Sequence, residues 1–416
     1  MPNSTTDKVT ALEIGKDWKV WVPCFGMALC SWLSFVDRQV LAILSPTILK
    51  ETGLTNQNFT DAASFFFLTY TLGNPVWGSV LDYVGLRRGM LLAVGIWTLA
   101  SISHAWMASF VGFAVARAVL GLGEGATFPG GLRTAVETLP ANLRARGIAL
   151  SFSGGTIGAV MMPLLLGPLA IQYGWRNAFL ATGGLGVMWL VVWSVIARPP
   201  FLPTTAKKAG RMTWPNLGER RVWALVFSYA LPAISPGPIL TIMALYLNQR
   251  LLLTQAGVNQ LVWIPPLTWG IGYFFWGWAA DKFASNTPRP VGMFLLLTVA
   301  SLTLGATTWT TSVPIAIALI SFSTFIGGGF QMVALKVGSY AFPREQAAMM
   351  SGIASGAWSL VNFVLLRSIG AWSGWMNAGR WEEIFWLIAI LPSVGIAAWF
   401  LLSRGDAART AAAARA

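Results

Sequence analysis

Apolar residues recur along the whole chain in runs of about twenty, separated by short polar breaks, and a run of that length crosses a bilayer core of about 30 Å as one helix. The pattern predicts spans at 18–44, 60–81, 88–107, 110–132, 146–172 and 177–197, and again at 221–248, 257–280, 289–309, 314–337, 347–371 and 382–402. The split divides the chain into a polar tail (1–17), a six-helix bundle (18–197), a basic linker punctuated by Pro and Gly (198–220), a second six-helix bundle (221–402) and a short Ala-rich tail (403–416). The first run is full length and lacks a small-residue cleavage pattern, so it is expected to remain as the first span.

The two halves echo each other. Gly78-Ser-Val-Leu-Asp82, after the second span, returns as Gly277-Trp-Ala-Ala-Asp281 after the eighth, and Leu54-Thr55 answers Leu253-Thr254 at the same offset of 199. Leu139-Pro140 with Arg144 and Gly147 is matched by Phe342-Pro343 with Gln346 to Met350, and Arg133 falls opposite Lys336. These echoes in register predict an all-α membrane protein whose twelve transmembrane helices form two pseudo-symmetric six-helix bundles. A site near the midplane between such repeats is the arrangement of secondary transporters.

Composition narrows the class further. Only 10% of the 416 residues are charged and 55% are hydrophobic, which excludes a water-soluble domain. The net charge of +13 might be read as a nucleic-acid signal, but with the N-terminus inside, most of the 28 Lys and Arg fall at cytoplasmic helix ends. Basicity therefore encodes topology, with both termini cytoplasmic, the lipid bilayer as partner and no nucleic acid. Cys24 and Cys30 are too far apart on one helix to bridge, and neither has a His companion. His104 falls near an outer loop and is read as a solvated loop residue. No metal or other cofactor is expected, and the chain is expected to be a monomer.

Charged residues inside the spans carry the chemistry. Ser34-Phe35-Val36-Asp37-Arg38 places a carboxylate and a guanidinium at membrane depth, where each costs on the order of 2.5–3.5 kcal/mol, so the pair marks a functional site. Adjacent helical residues point about 100° apart, so one of the two is expected to face the fourth span and the other the cavity. In the fourth span Arg117 and Glu124 stand two turns apart on one face, among Gly121, Gly123 and Gly125, which allow a neighbouring helix to approach. Two readings stay open: a static intramembrane ion pair, or a proton-binding carboxylate beside an arginine that neutralises it or receives an anion.

Helical spacing adds Tyr70 and Asn74 on the second span, with Trp269 and Tyr273 at repeat-related positions on the eighth. Ser355, Ser359 and Asn362 form a polar stripe on the eleventh. For all of these, plain packing or interhelical hydrogen bonding is the competing reading. Arg367, further out on the same helix, is read as snorkelling. The loop Gly78-x3-Asp82-x2-Gly85-x-Arg87-Arg88 combines glycines for a tight turn with a carboxylate that can pair in one conformation and release in another.

That loop and its Gly277 to Asp281 half-copy resemble the signature of the major facilitator superfamily. Ser34 to Arg38, Arg117 to Glu124 with Pro129, Arg144-Ala-Arg146-Gly147 and Gly174-Trp175-Arg176 resemble its anion:cation symporter family, in the flavour of bacterial hexuronate and sugar-acid carriers. The resemblance implies proton-coupled import of small carboxylates, with Arg38 and Tyr70 contacting substrate and Asp37 and Glu124 taking protons. Arg117, Asn74, Trp269, Tyr273, Ser355 and Ser359 complete the expected substrate site. The family's Asn-Tyr is Ser34-Phe35 here, which removes a phenol from the implied sugar site. Gly167-Pro168 is followed by Leu169-Ala170, an incomplete version of the antiporter fingerprint. No nucleotide-binding loop of the Walker type and no nucleophile–base constellation occur, so neither ATP drive nor enzymatic catalysis is expected. Two rival readings remain: a spinster-like exporter of lipid or amphiphiles, and a metabolite sensor that does not transport.

Overall fold

The computed structural model describes residues 18–140, 143–202, 215–284, 289–342, 344–371 and 380–403. The expected tails at 1–17 and 404–416 and the middle of the expected linker, 203–214, lie outside the described residues. Within them the chain is helical: α1 (Trp18–Thr52), α2 (Asn56–Val84), α3 (Leu86–Trp106), α4 (Phe110–Thr138), α5 (Arg144–Tyr173), α6 (Trp175–Ile196), α7 (Arg220–Gln249), α8 (Ile264–Phe283), α9 (Val291–Trp309), α10 (Val313–Ala341), α11 (Arg344–Ala371) and α12 (Trp381–Leu402). The predicted order and number of spans hold. Helices α1, α2, α4 and α10 run several residues past the predicted apolar core, because hydropathy marks the bilayer-facing part of a helix and not its hydrogen-bonded ends, whereas α8 starts at Ile264, later than the predicted 257, after a separate short helix at Gln255–Leu261.

Ten of the helices are long and apolar enough to cross a membrane. The two outside that set, α2 and α8, are repeat partners. Their interiors carry Tyr70, Asn74 and Pro75 in one and Pro265, Pro266, Trp269 and Tyr273 in the other. Amphipathic and polar side chains in a spanning helix need neighbours other than lipid. Among them, Tyr70, Asn74, Trp269 and Tyr273 are the ones the sequence singled out.

The chain divides into two compact units, Met1–Leu41 with Leu68–Arg211, and Ala42–Phe67 with Met212–Ala416. In the first unit, α5 lies against α1 through glycines: a Cβ on Gly154 would stand 1.9 Å from the Ala28 carbonyl oxygen, and one on Gly158 2.3 Å from that of Trp32. Helix α2 meets α4 in the same manner, with Gly73 facing the Leu122 carbonyl and Gly125 facing the Gly73–Asn74 backbone. The second unit repeats this contact: Gly272 of α8 faces the Phe325 carbonyl of α10, and Gly328 faces Trp269 and Tyr273. Placing Val at Gly272 forces a Cβ to 2.4 Å from a backbone oxygen and is expected to destabilise the fold by about 2 kcal/mol or more. Gly292, with open space around it, is the control; equal melting-temperature losses for Gly272→Val and Gly292→Val would refute the packing argument.

The second unit also holds the C-terminal part of α1 and the start of α2. Asn56 and Gln249 exchange side-chain hydrogen bonds in both directions at 3.0 and 2.9 Å, and Thr47 donates to Gln255 at 2.9 Å. Arg367, expected to snorkel, has a half-exposed side chain whose guanidinium lies 4.0 Å from the Asp61 carboxylate and over the Phe65 ring.

Candidate functional site

Helix α4 is two helical segments, Phe110–Glu124 and Thr127–Thr138, joined at Gly125 and Ala126. Gly123 faces the Trp97 Cβ and the Ala93 carbonyl of α3, while Gly125 faces the backbone of α2. These close approaches seat Glu124 at the joint, fully buried. Its Oε2 accepts from the Ser34 hydroxyl at 2.7 Å and from Arg38 Nε at 2.7 Å; its Oε1 is buried with no hydrogen-bond partner. Arg38 also reaches Ser34 at 3.3 Å, and its guanidinium lies over the rings of Phe35 and Tyr70 at 4.7 and 4.6 Å. Ser34 and Arg38 are one turn apart on α1, which is why a single carboxylate oxygen takes both.

The expectation that one member of the Asp37-Arg38 pair faces the fourth span is met by Arg38. The other half of that expectation is corrected: Asp37 is 2% exposed and turns to α3 and α6, where its Oδ1 accepts from the Ser101 hydroxyl at 2.6 Å. Ser101 is in turn 2.9 Å from the Thr182 hydroxyl. About 100° of helical rotation separates the two side chains, and α1 has packed helices on both sides. Arg117 is buried and donates to the Arg38 backbone carbonyl at 3.0 Å, so the close partner of Glu124 is Arg38. Two guanidiniums and two carboxylates are thus gathered around one turn of α1.

His104 is also corrected. It is fully buried, its Nδ1 is 2.7 Å from the Ala100 carbonyl, and its ring stacks on Phe179 at 4.9 Å. Position near a helix end suggested solvent, but α3 continues through His104 into a last turn covered by α6. Asn74 donates to the Tyr70 carbonyl at 2.9 Å, one turn away on α2.

In the second unit, Trp269 Nε1 donates to Gln331 Oε1 at 3.0 Å, and the Tyr273 hydroxyl bonds the same oxygen. Gln331 on α10 was not anticipated from sequence; a bulky amide inside an apolar span is the signal that marks it. Ser359 and Asn362 are buried on α11 and Ser355 is half-buried there; Asn362 donates to the Trp358 carbonyl at 2.8 Å. The position matching Glu124 at the offset relating Arg133 to Lys336 is Gly327, and a Cβ there would meet Ser235 and Pro236 at 2.7 Å. The second unit fills with tight packing the place that the first unit fills with charge.

The loop motif takes the same form twice. Asp82 pairs with Arg133 Nη1 at 2.7 Å, and Arg133 Nε holds Glu137 at 2.5 Å. Asp281 pairs with Lys336 at 3.0 Å. Gly85 sits at φ 84°, where a side chain is strained, and Gly78 and Gly277 have open space at their Cβ positions. Arg87 donates to the Ser194 carbonyl at 3.4 Å, and Arg88 is exposed.

Residues 27–366 match the family model described as Major Facilitator Superfamily. The hexuronate transporter of Escherichia coli K12 is 22% identical over 94% of this chain and 96% of its own length. The D-galactonate transporter of Escherichia coli O6:H1 is 26% identical over 77% of this chain and 81% of its own. Among solved structures, a bacterial homologue of the human lysosomal transporter Spinster, inward-facing and unoccupied, is similar with a TM-score of 0.74 and 16% identity over 94% and 98% of the two chains. The D-xylose–proton symporter is similar with a TM-score of 0.69 and 16% identity over 91% and 96%.

Proposed function

Because the chain belongs to the Major Facilitator Superfamily and is a multi-pass membrane transporter, we propose that it is a symporter importing a small organic anion, such as a hexuronate or aldonate, together with protons. The observation that carries this reading is the 2.7 Å pair between Arg38 and the fully buried Glu124. With both carboxylates ionised, Asp37 and Glu124 balance Arg38 and Arg117. An anion that docks on Arg38 must take it from Glu124, and a buried carboxylate stripped of its partner is strongly unfavourable. A proton on Glu124 removes that cost, so anion and proton enter together.

In this reading Arg38 anchors the substrate carboxylate and Asp37 and Glu124 carry protons. Tyr70, Asn74, Arg117, Trp269, Tyr273, Ser355 and Ser359 contact the rest of the molecule. The paired loops, Gly78 to Arg88 and Gly277 to Asp281, exchange partners as the six-helix bundles 18–197 and 221–402 rock about the site. The protein works as a monomer in a bacterial inner membrane with both termini cytoplasmic. If two protons accompany one monoanion, one net charge crosses per cycle, and 100 mV contributes roughly 2.3 kcal/mol, about fifty-fold in concentration ratio.

Reconstituted into proteoliposomes with an alkaline lumen, the protein is expected to accumulate D-galactonate, D-glucuronate or D-galacturonate and to alkalinise the outside medium as it does so. Uptake that persists unchanged after the pH gradient and potential are collapsed would exclude proton coupling. Failure of every carboxylate, with stabilisation by an amphiphile in a thermal-shift screen, would exclude the anion reading.

A further inference from the structure

We propose that Ser101 and Thr182 are positioning residues that form a reversible hydroxyl chain between the Asp37 carboxyl and the Phe179 backbone carbonyl, and so let Asp37 be satisfied both with and without a proton. The inference rests on the proton-coupling reading above but concerns a different set of atoms. Asp37 Oδ1, Ser101 Oγ, Thr182 Oγ1 and the Phe179 oxygen follow one another at 2.6, 2.9 and 3.0 Å, and the three side chains are at most 2% exposed.

Each hydroxyl has one hydrogen to give, which fixes the possible arrangements. When Asp37 is ionised, Thr182 donates to Ser101 and Ser101 donates to the carboxylate. When Asp37 carries a proton, the first two bonds reverse and the third forms: the acid donates to Ser101, Ser101 to Thr182, and Thr182, its hydrogen now freed from Ser101, to the Phe179 carbonyl. Only a chain ending on an acceptor can run both ways, and a buried carboxylic acid without such an outlet would strand a donor. Glu124 differs, because Arg38 Nε can only donate and holds Oε2 as an acceptor.

Glu124 and Arg117 act on Asp37 from α4, and Arg38 adjoins it on α1. From α3, His104 is one turn beyond Ser101 but is engaged with the Ala100 carbonyl and the Phe179 ring. From α6 come the Thr182 hydroxyl, which also bears on the Asp37 carboxyl, and the Phe179 carbonyl.

The two hydroxyls make opposite predictions when removed. Ser101→Ala takes a donor from the ionised form, where the bond is charge-assisted and stronger, so Asp37 should hold its proton to higher pH. Thr182→Val leaves Ser101 without an acceptor in the protonated form, so Asp37 should lose its proton at lower pH. The measurement is a pH titration of the protonated-carboxyl stretch in the infrared, on the purified full-length protein, with Asp37→Asn assigning the band. Shifts of about half a unit to one unit in opposite directions are expected, with Thr182→Ser restoring the wild-type midpoint and controlling for misfolding. Shifts in the same direction would mean that both hydroxyls act in parallel on Asp37, and a band that never titrates would mean a fixed protonation state; either result overturns the chain. Neither result depends on transport, so loss of proton coupling in proteoliposomes would sink the functional reading separately.

Discussion

Arg38→Ala is expected to abolish anion binding and uptake, a loss of about a hundredfold or more. A guanidinium that anchors a carboxylate in a desolvated site contributes on the order of 2–5 kcal/mol to binding when it is truncated. The substitution also strips Glu124 of its 2.7 Å partner, leaving only the Ser34 hydroxyl, so some of the loss could come from a destabilised fold. The double variant Arg38→Ala/Glu124→Gln separates the two effects: it removes the orphaned charge and should recover thermal stability without recovering binding. Arg38→Lys is expected to recover little, because an ammonium lacks both the Nε donor and the flat surface that lies over Phe35 and Tyr70. Saturable binding of D-galactonate or D-glucuronate by the double variant with wild-type affinity would remove Arg38 from the site.

The helices and their repeat were legible because membrane segments obey a coarse rule. Every backbone polar group in lipid must be bonded within its own helix, so an apolar run of about twenty residues has one structure available. The loop motif was legible for a different reason. Asp82 and Asp281 are carboxylates at span ends followed, 51 and 55 residues later, by Arg133 and Lys336, and the structure pairs each carboxylate with that base. Glycine contacts were legible only in part. Gly121, Gly123 and Gly125 suggested close approach, but not that Gly125 would meet Gly73 of α2 while Gly123 met Trp97 of α3.

What the sequence did not reveal is who faces whom around α1. Helical spacing fixes the angle between Asp37 and Arg38 but not the rotation of the helix. Assigning Arg38 to Glu124 and Asp37 to Ser101 required the packed positions of α3, α4 and α6. Ser101 and Thr182 were invisible because Ser and Thr are common in spanning helices and usually bond their own backbone, as Ser45 does with Ala42. His104 was misread because one titratable residue near a helix end carries no information about the neighbour that will cover it. Nothing in the sequence marked Gly327, which stands in place of Glu124 and meets Ser235 and Pro236 of α7.

Glu124→Gln then provides the sharpest test of how the anion is coupled to protons. The amide matches the carboxylate in size and can still accept from Ser34, so the joint in α4 and its glycine contacts are expected to survive. What disappears is the negative charge that competes for Arg38. Anion binding should therefore be retained or tightened, and it should no longer depend on a proton reaching this position. Counterflow, in which external substrate exchanges for internal substrate, needs only binding and rocking of the loaded site and should continue at a substantial fraction of the wild-type rate. Concentrative uptake needs the empty site to return with Glu124 ionised and paired to Arg38, and the amide cannot supply that state. Accumulation ratios should fall from well above unity to about one. Asp37→Asn serves as the comparison, because its carboxyl is engaged by Ser101 on another face of α1 and does not compete for Arg38. If the Glu124→Gln protein still accumulates substrate against its gradient, the Arg38–Glu124 pair is a structural ion pair, and coupling must pass through Asp37 alone.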